Sequence, residues 1–182
     1  GVLEKLLKER NMYSVYTDIE APLVPIVTRM SAHGVLLDVV YLNDLHIEYQ
    51  AKLEEKTKQI FVHAGKEFNI NSPKQLGDIL YDTLAIKPKG SAKTPTGQRS
   101  TKESDLQKII DAHPIIPIVL EYRELQKLLS TYIDTLPTKV ASDGRLHTTF
   151  QQHGTTTGRI SSIDPNLQNI PIKSEDGKKI RH

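Results

Sequence analysis

Apolar residues recur at helical spacing in two long stretches of the chain. In the first, Leu42, Leu45, Tyr49, Leu53 and Ile60 follow at intervals of 3, 4, 4 and 7 residues. This predicts one helix to about Ala64-Gly65, with Asp38 placed to cap its start. In the second, Ile118, Tyr122, Leu125, Leu129, Tyr132 and Leu136 alternate by 4 and 3, a heptad stripe. It opens at His113-Pro114 and closes at Pro137. Two short helices are predicted between them. Ser72-Pro73-Lys74-Gln75 is a capping box with proline in the first helical position, and its helix runs to about Asp82. Ser100 and Glu103 form a second box, for a helix to about Ala112. The intervening stretch from Ile86 to Ser100 reads as a loop. The whole predicts an antiparallel helix pair with a small helical tip. A plain core by itself accounts for both stripes.

The flanks differ. Leu3, Leu6, Leu7, Tyr13 and Tyr16 give residues 1–19 a short amphipathic pattern without a start signal, as at the end of an upstream helix. Ala21 to Ala32 reads as a helix with Pro22 in its first turn, stopped by His33-Gly34. After the turn signal Asp143-Gly144 the period becomes two: Leu146, Thr148 and Phe150 alternate with His147, Thr149 and Gln151. Ile160 to Ser162 suits a return strand. The predicted class is mainly α with a small β part (α+β), the β segment short and antiparallel, with a boundary near Ser142.

The chain has 182 residues, 37% hydrophobic and 25% charged, which points to an elongated body with a thin core. It holds no cysteine, so disulfides and thiolate metal sites are excluded. No apolar run reaches membrane length and no signal-peptide pattern occurs, so no membrane partner is expected and a cytoplasmic setting is. Net charge is only +2, but the charge is sorted. Lys87, Lys89, Lys93, Arg99 and Lys102 fall in a stretch with no acidic residue, whereas Asp38 to Asp82 holds eight acidic residues against five basic ones. One end meeting phosphate would explain that sorting.

Most of the candidate chemistry lies in Thr155-Thr156-Thr157-Gly158-Arg159-Ile160-Ser161-Ser162-Ile163-Asp164-Pro165-Asn166-Leu167-Gln168-Asn169-Ile170-Pro171. Its amides, hydroxyls and single arginine suit the edges of base pairs. Purine N3 and pyrimidine O2 present acceptors at similar minor-groove positions in every correct pair. A donor there is blind to sequence and sensitive to pair geometry. Arg159 supplies several donors, Gly158 lets the backbone approach closely, and Asn166 and Gln168 add amides. The ordinary alternative is an arginine paired with a carboxylate in a turn-rich loop.

This segment closely resembles the motif that opens the palm of family A DNA polymerases, the bacterial polymerase I type. Gly34-Val35-Leu36-Leu37-Asp38, Asn71-Ser72-Pro73-Lys74-Gln75-Leu76 and Leu120-Glu121-Tyr122-Arg123-Glu124-Leu125 also resemble family segments, in the family's order. The likeness covers nearly the whole chain and is weakest over the first 19 residues. It implies the end of an exonuclease-like domain (1–19), a thumb (20–142) and the start of a palm (143–182). It implies that Arg159 lies against the primer-terminal pair, with Asn166 and Gln168 near the template side. It further implies that Arg123, Lys127, Ser130 and Thr131, at helical spacing, touch the duplex backbone. Lys89, Lys93, Arg99 and Thr157 join those backbone contacts. Leu129 stands where many relatives have lysine, so one phosphate contact is expected to be missing.

The expected function is therefore duplex primer–template binding by a piece of a DNA-directed DNA polymerase. Nucleotide addition needs carboxylates around two metal ions. In the family these lie beyond His182, so Mg2+ and dNTP are expected only for the parent. The piece alone is expected to carry no catalytic residue, no cofactor and no polymerase activity. His147 and His153 have no companion set for a metal, and Gly90 to Gly97 is not a phosphate loop. Without palm partners, the strands around Leu146 to Phe150 are expected to be open edges. Residues 164–182 are expected to be mobile or to pair with another copy, so a monomer is expected, with an edge-strand dimer as the alternative. The rival reading is a helical protein-binding scaffold that never touches nucleic acid. The sorted basic loop and the amide-rich segment disfavour it.

Overall fold

The computed structural model describes residues 1–89 and 99–181. Its elements run α1 (Val2–Glu9), α2 (Tyr13–Val15), a π-helical turn (Tyr16–Glu20), α3 (Ala21–His33), β1 (Val35–Leu36) and α4 (Val39–Ala64). Then come α5 (Pro73–Gly77), a π turn (Asp78–Thr83), α6 (Glu103–Leu106), a 3-10 turn (Gln107–Ala112), α7 (Ile115–Leu128) and a π turn (Leu129–Ile133). A 3-10 turn (Pro137–Lys139), β2 (Arg145–Leu146), β3 (Thr149–Gln151), β4 (Ser161–Ile163) and α8 (Glu175–Lys179) complete the chain. The class is the expected one, mainly α with a small antiparallel β part. Two compact units form: Val40–Asp134, and Gly1–Val39 together with Thr135–His182.

The Val40–Asp134 unit is built on α4 and α7. At 26 residues, α4 is about 39 Å long. The two helices run antiparallel, as three pairs along them show. His46 Nδ1 meets Asp134 Oδ1 at 2.7 Å, Lys56 Nζ meets Glu121 Oε2 at 2.5 Å, and the His63 and His113 rings sit edge to face at 5.8 Å. Residue numbers rise on one helix as they fall on the other. Their apolar stripes are buried: Leu42, Leu45, Tyr49, Leu53 and Ile60 on α4, and Tyr122, Leu125, Leu128, Leu129, Tyr132 and Ile133 on α7 and its extension. Each such Leu or Ile contributes about 1.5–3 kcal/mol on burial. Leu129 is only 2% exposed, so this position faces the core and not solvent.

The short helices form a tip around Leu76, Ile79, Leu80, Leu106 and Ile109. Ser72 caps α5 as expected, its hydroxyl accepting from Gln75 N at 3.4 Å. The second half of that box does not form. Ser72 N donates to Asn69 O at 3.0 Å, and Gln75 Oε1 accepts from Asn69 N at 2.7 Å instead. Ser100, expected to cap the next helix, does not. Its hydroxyl accepts from Lys102 N at 3.3 Å, and Lys102 takes the N-cap position of α6.

In the other unit the β residues pair differently from a single strand over 146–150. β2 pairs antiparallel with β1 (Val35 with Leu146, Leu36 with Arg145). β3 pairs antiparallel with β4 (Thr149 with Ile163, Phe150 with Ser162, Gln151 with Ser161). The strands expected as open edges thus each have one partner. The break falls at Thr148, whose buried hydroxyl lies 2.9 Å from Ile163 O and 2.8 Å from Pro165 O, fixing that chain turn. Residues 164–181 are tied back within the chain: Lys139 pairs with Asp164, Ser174 caps α8, and Ile180 is buried.

α3 is joined to the strands by polar contacts. Gln152 Nε2 donates to Glu20 O at 2.9 Å and Glu20 Oε2 at 2.8 Å. His147 Nδ1 donates to Ser31 O at 3.0 Å, and its Nε2 donates to Asp143 Oδ2 at 3.0 Å. Both ring nitrogens thus face acceptors, which only the doubly protonated ring satisfies. The Ser31 carbonyl, and then Asp143, raise the His147 pKa, opposed by desolvation and Arg145. The Arg145 backbone N–H, and then His147, hold Asp143 below the usual carboxylate value.

Two outcomes follow. Gly34 has φ +67°, and a β-carbon there would lie 2.9 Å from Leu146 O and 3.0 Å from the His147 ring. Gly34→Ala is expected to cost about 1–3 kcal/mol, read from urea unfolding. His147 should titrate above the ordinary histidine value by NMR, and Asp143→Asn should bring it down. Because its folded pKa is raised, the stability His147 supplies is full below pH of about 6.5 and is lost as pH rises through the folded value. Asp143 acts oppositely: its contribution is full above about pH 4 and is lost as pH falls through its lowered value.

Candidate nucleic-acid interface

The candidate residues fall into two sets, one on each unit. On the Val40–Asp134 unit, Lys127, Ser130 and Thr131 are exposed at spacings of three and four along α7 and its extension. The buried stripe of the same helix fixes their outward direction. Ser130 Oγ also donates back to Gln126 O at 2.8 Å. The three present an ammonium and two hydroxyls to solvent. Lys89 is exposed as well, whereas Lys93 lies outside the described residues.

Arg123, one turn before Lys127, is half-buried and turned away from that role. Its Nη1 donates to Thr101 O, and its Nη2 donates to Thr101 Oγ1 at 3.4 Å. Burial pushes its guanidinium below the ordinary value, against the pull of Glu103 and Tyr81. Tyr81 OH donates to Ser100 O at 2.6 Å, so Ser100-Thr101 is held from two sides. Burial raises the Tyr81 phenol, with Asp105 adding to the rise and Arg99 and Arg123 opposing it. Arg99 Nη2 donates to Asp82 Oδ2 at 2.5 Å, and its guanidinium lies 5.1 Å from the Tyr81 ring centroid. Arg99 is therefore an engaged cation.

On the other unit, Thr157, Gly158 and Arg159 form an exposed turn. Gly158 has φ +73° and open space where a β-carbon would project, so its need for glycine is conformational. Thr155 Oγ1 donates to Arg159 O at 2.8 Å and lies 3.3 Å from Thr157 Oγ1, which closes the turn. The Arg159 guanidinium points to solvent with no hydrogen-bond or ion-pair partner among the described residues. The carboxylate partner of the ordinary alternative does not form there.

The two amides do different work. Asn166 Oδ1 accepts from Gln168 N at 3.0 Å and Asn169 N at 3.2 Å, which leaves its amide N–H groups to face outward. Gln168 is spent on the strand: Oε1 accepts from Ser162 N at 3.2 Å and Nε2 donates to Ile160 O at 2.5 Å. It braces the segment that carries Arg159, with one amide hydrogen left over.

Sequence reasoning missed the Asp82–Arg99–Tyr81–Ser100–Thr101–Arg123 chain entirely. No local spacing marks it, because its partners are 17 to 22 residues apart. Among the described residues no group of three or more His, Cys, Asp or Glu is arranged for a metal ion. No helix among the described residues is long and apolar enough to cross a membrane.

A model of DNA polymerase family A matches residues 39–182. The chain belongs to that family. The DNA polymerase I of Deinococcus radiodurans is 50% identical over 168 residues, covering 92% of this family A chain and 18% of that protein. The thermostable DNA polymerase I of Thermus thermophilus is 45% identical over 179 residues, covering 98% of the chain and 21% of that protein. Among solved structures, the POL domain of Pol1 from M. smegmatis, in complex with DNA primer-template and dNTP, matches with a TM-score of 0.88. That match has 36% identity and covers 98% of this chain and 31% of that one. The chain thus spans about a fifth of the length of its curated relatives.

The difference between Arg123 and Lys127 is measurable without DNA. Arg123→Ala removes donors from a fixed carbonyl and should lower unfolding free energy by about 1–3 kcal/mol. Lys127→Ala, on an exposed face, should stay within about 0.5 kcal/mol of the parent chain in the same urea titration.

Proposed function

We propose that this chain is a primer–template-binding piece of a DNA-directed DNA polymerase. The observation that carries the proposal is Arg159, an exposed guanidinium with no partner among the described residues, on a braced turn within the motif that resembles the opening of the family's palm. The likeness to a polymerase domain solved with primer-template and dNTP supports it. In this reading residues 20–142 are the thumb, 143–182 start the palm, and 1–19 end an exonuclease-like domain.

The assigned roles follow from what each side chain leaves available. Arg159 donates to the shared minor-groove acceptors of the terminal pair, and the outward amide of Asn166 joins it. Gln168 acts chiefly by keeping that segment rigid. Lys127, Ser130, Thr131, Thr157 and Lys89 meet backbone phosphates through charge and hydroxyls, and the same role is proposed for Lys93, which lies outside the described residues. Arg123 holds Ser100-Thr101 against α7 and so fixes where the strap leading into α6 lies. Nucleotide addition is assigned to the parent protein. The family implies Mg2+ for that parent protein; the described residues of this chain do not fit a metal ion.

Binding should be independent of sequence, stronger for duplex than for single strands, and weaker as salt rises. Fluorescence anisotropy with a labelled primer–template tests this. Lys127→Ala should weaken every duplex alike and flatten the plot of log affinity against log salt by about one unit. No affinity for duplex in dilute buffer, with the chain folded, would favour the protein-binding scaffold instead.

A further inference from the structure

Two hydroxyls are buried in the unit that carries Arg159, and neither belongs to the set given DNA contacts. Thr148 is 1% exposed and Ser162 0%. Both bond to the turn that follows β4. Thr148 Oγ1 has one proton and two carbonyl acceptors, Ile163 O at 2.9 Å and Pro165 O at 2.8 Å, and the second of these bonds is buried. Ser162 Oγ accepts from Leu167 N at 3.1 Å. The two hydroxyls therefore hold the chain at 163, 165 and 167, on either side of Asp164 and Asn166. Asp164 has φ +47°, uncommon for a residue with a β-carbon, so the turn keeps its shape only through what surrounds it.

That turn sets where Asn166 points. Its Oδ1 is held by Gln168 N and Asn169 N, so the outward amide moves with the local backbone. Gln168 in turn bonds Ser162 N and Ile160 O, next to Arg159. Arg159 and Asn166 are thus joined through one short stretch of backbone, and Thr148 anchors it from outside that stretch.

We infer that Thr148 is a positioning residue for telling paired from mispaired primer ends, acting through the 163–167 turn without touching DNA. The inference rests on the duplex-binding reading above. Minor-groove acceptors occupy shared positions in correct pairs, so donors held in fixed places bond fully to a correct pair and lose bonds to a distorted one. Donors free to shift follow the acceptors of either, and the difference narrows. Thr148 carries no charge and is closed to solvent, so its removal leaves the phosphate contacts and their counterion release as they were.

The test measures affinity for a matched and a mispaired primer–template by fluorescence anisotropy across a salt series. The proteins are wild type, Thr148→Val, Thr148→Ser, Ser162→Ala and Lys127→Ala. Wild type should favour the matched end. Thr148→Val keeps the side-chain shape and removes the donor. It should shrink that preference by about two- to tenfold, as expected for one misaligned hydrogen bond, with the salt slope unchanged. Thr148→Ser, which keeps the hydroxyl, should retain most of the preference. Lys127→Ala should do the reverse, flattening the slope and leaving the preference alone. Amide exchange followed by NMR should quicken at Leu167 and Asn169 in Thr148→Val and stay unchanged in the core of α4. Circular dichroism checks folding; should Thr148→Val not fold, Ser162→Ala, which frees Leu167 N–H in the same turn, carries the same expected loss. An unchanged preference in the folded variant overturns the inference. So does an equal loss in Thr148→Ser, since the hydroxyl is then not the cause, and so does a wild type that binds both ends alike. Any of these with duplex affinity intact sinks this inference alone. A folded wild type with no duplex affinity sinks the duplex reading and this inference with it.

Discussion

Burial of two apolar stripes, one on α4 and one on α7, is the constraint on which the Val40–Asp134 unit depends. The stripes carry Leu, Ile and Tyr at helical spacing, so each helix has a single dry face. Once those faces meet, the opposite face of α7 must point outward. The exposure of Lys127, Ser130 and Thr131 is a consequence of packing on the far side of the helix. Leu129 shows the same rule from inside: two residues beyond Lys127, it belongs wholly to the core.

Charge in this chain is divided between cations left to solvent and cations held by the fold. Arg159 and Lys127 are of the first kind, Arg123 and Arg99 of the second. The division follows from what lies across from each. Arg123 donates to the Thr101 carbonyl, and a buried acceptor left without a donor is costly. Arg159 sits on a turn whose bonds are already closed by Thr155 and Gln168, and no group among the described residues competes for its guanidinium. A residue type in a sequence names what a group can do; its neighbours decide whether it is at liberty to do it.

What was legible in the sequence was local and periodic. The heptad on α7, the Ser72 cap and the Gly34 stop are each read from residues within a few turns, and each formed. What was not legible came from distant partners. β1 is a two-residue strand whose mate lies past residue 140, and no window of sequence can contain both. Ser100 does not cap α6 because its hydroxyl meets a nearer donor, the Lys102 amide, before the helix begins. The Arg159 turn was visible as a motif, yet the brace supplied by Gln168 was not. An amide that reads as a donor for a ligand is equally able to bond the backbone of its own chain.

The pairing of Val35–Leu36 with Arg145–Leu146 has a consequence for how the chain reaches this structure. The Val40–Asp134 unit is continuous in sequence and rich in nearby contacts, the kind of body that folds quickly. The other unit is interrupted by it, and its two-strand clasp must close a loop of roughly 110 residues. Closing that loop while the insert is still a random chain carries the full entropic cost; a collapsed insert brings the clasp residues nearer at the outset. The topology therefore makes the clasp cheapest to close when the helical insert is already assembled.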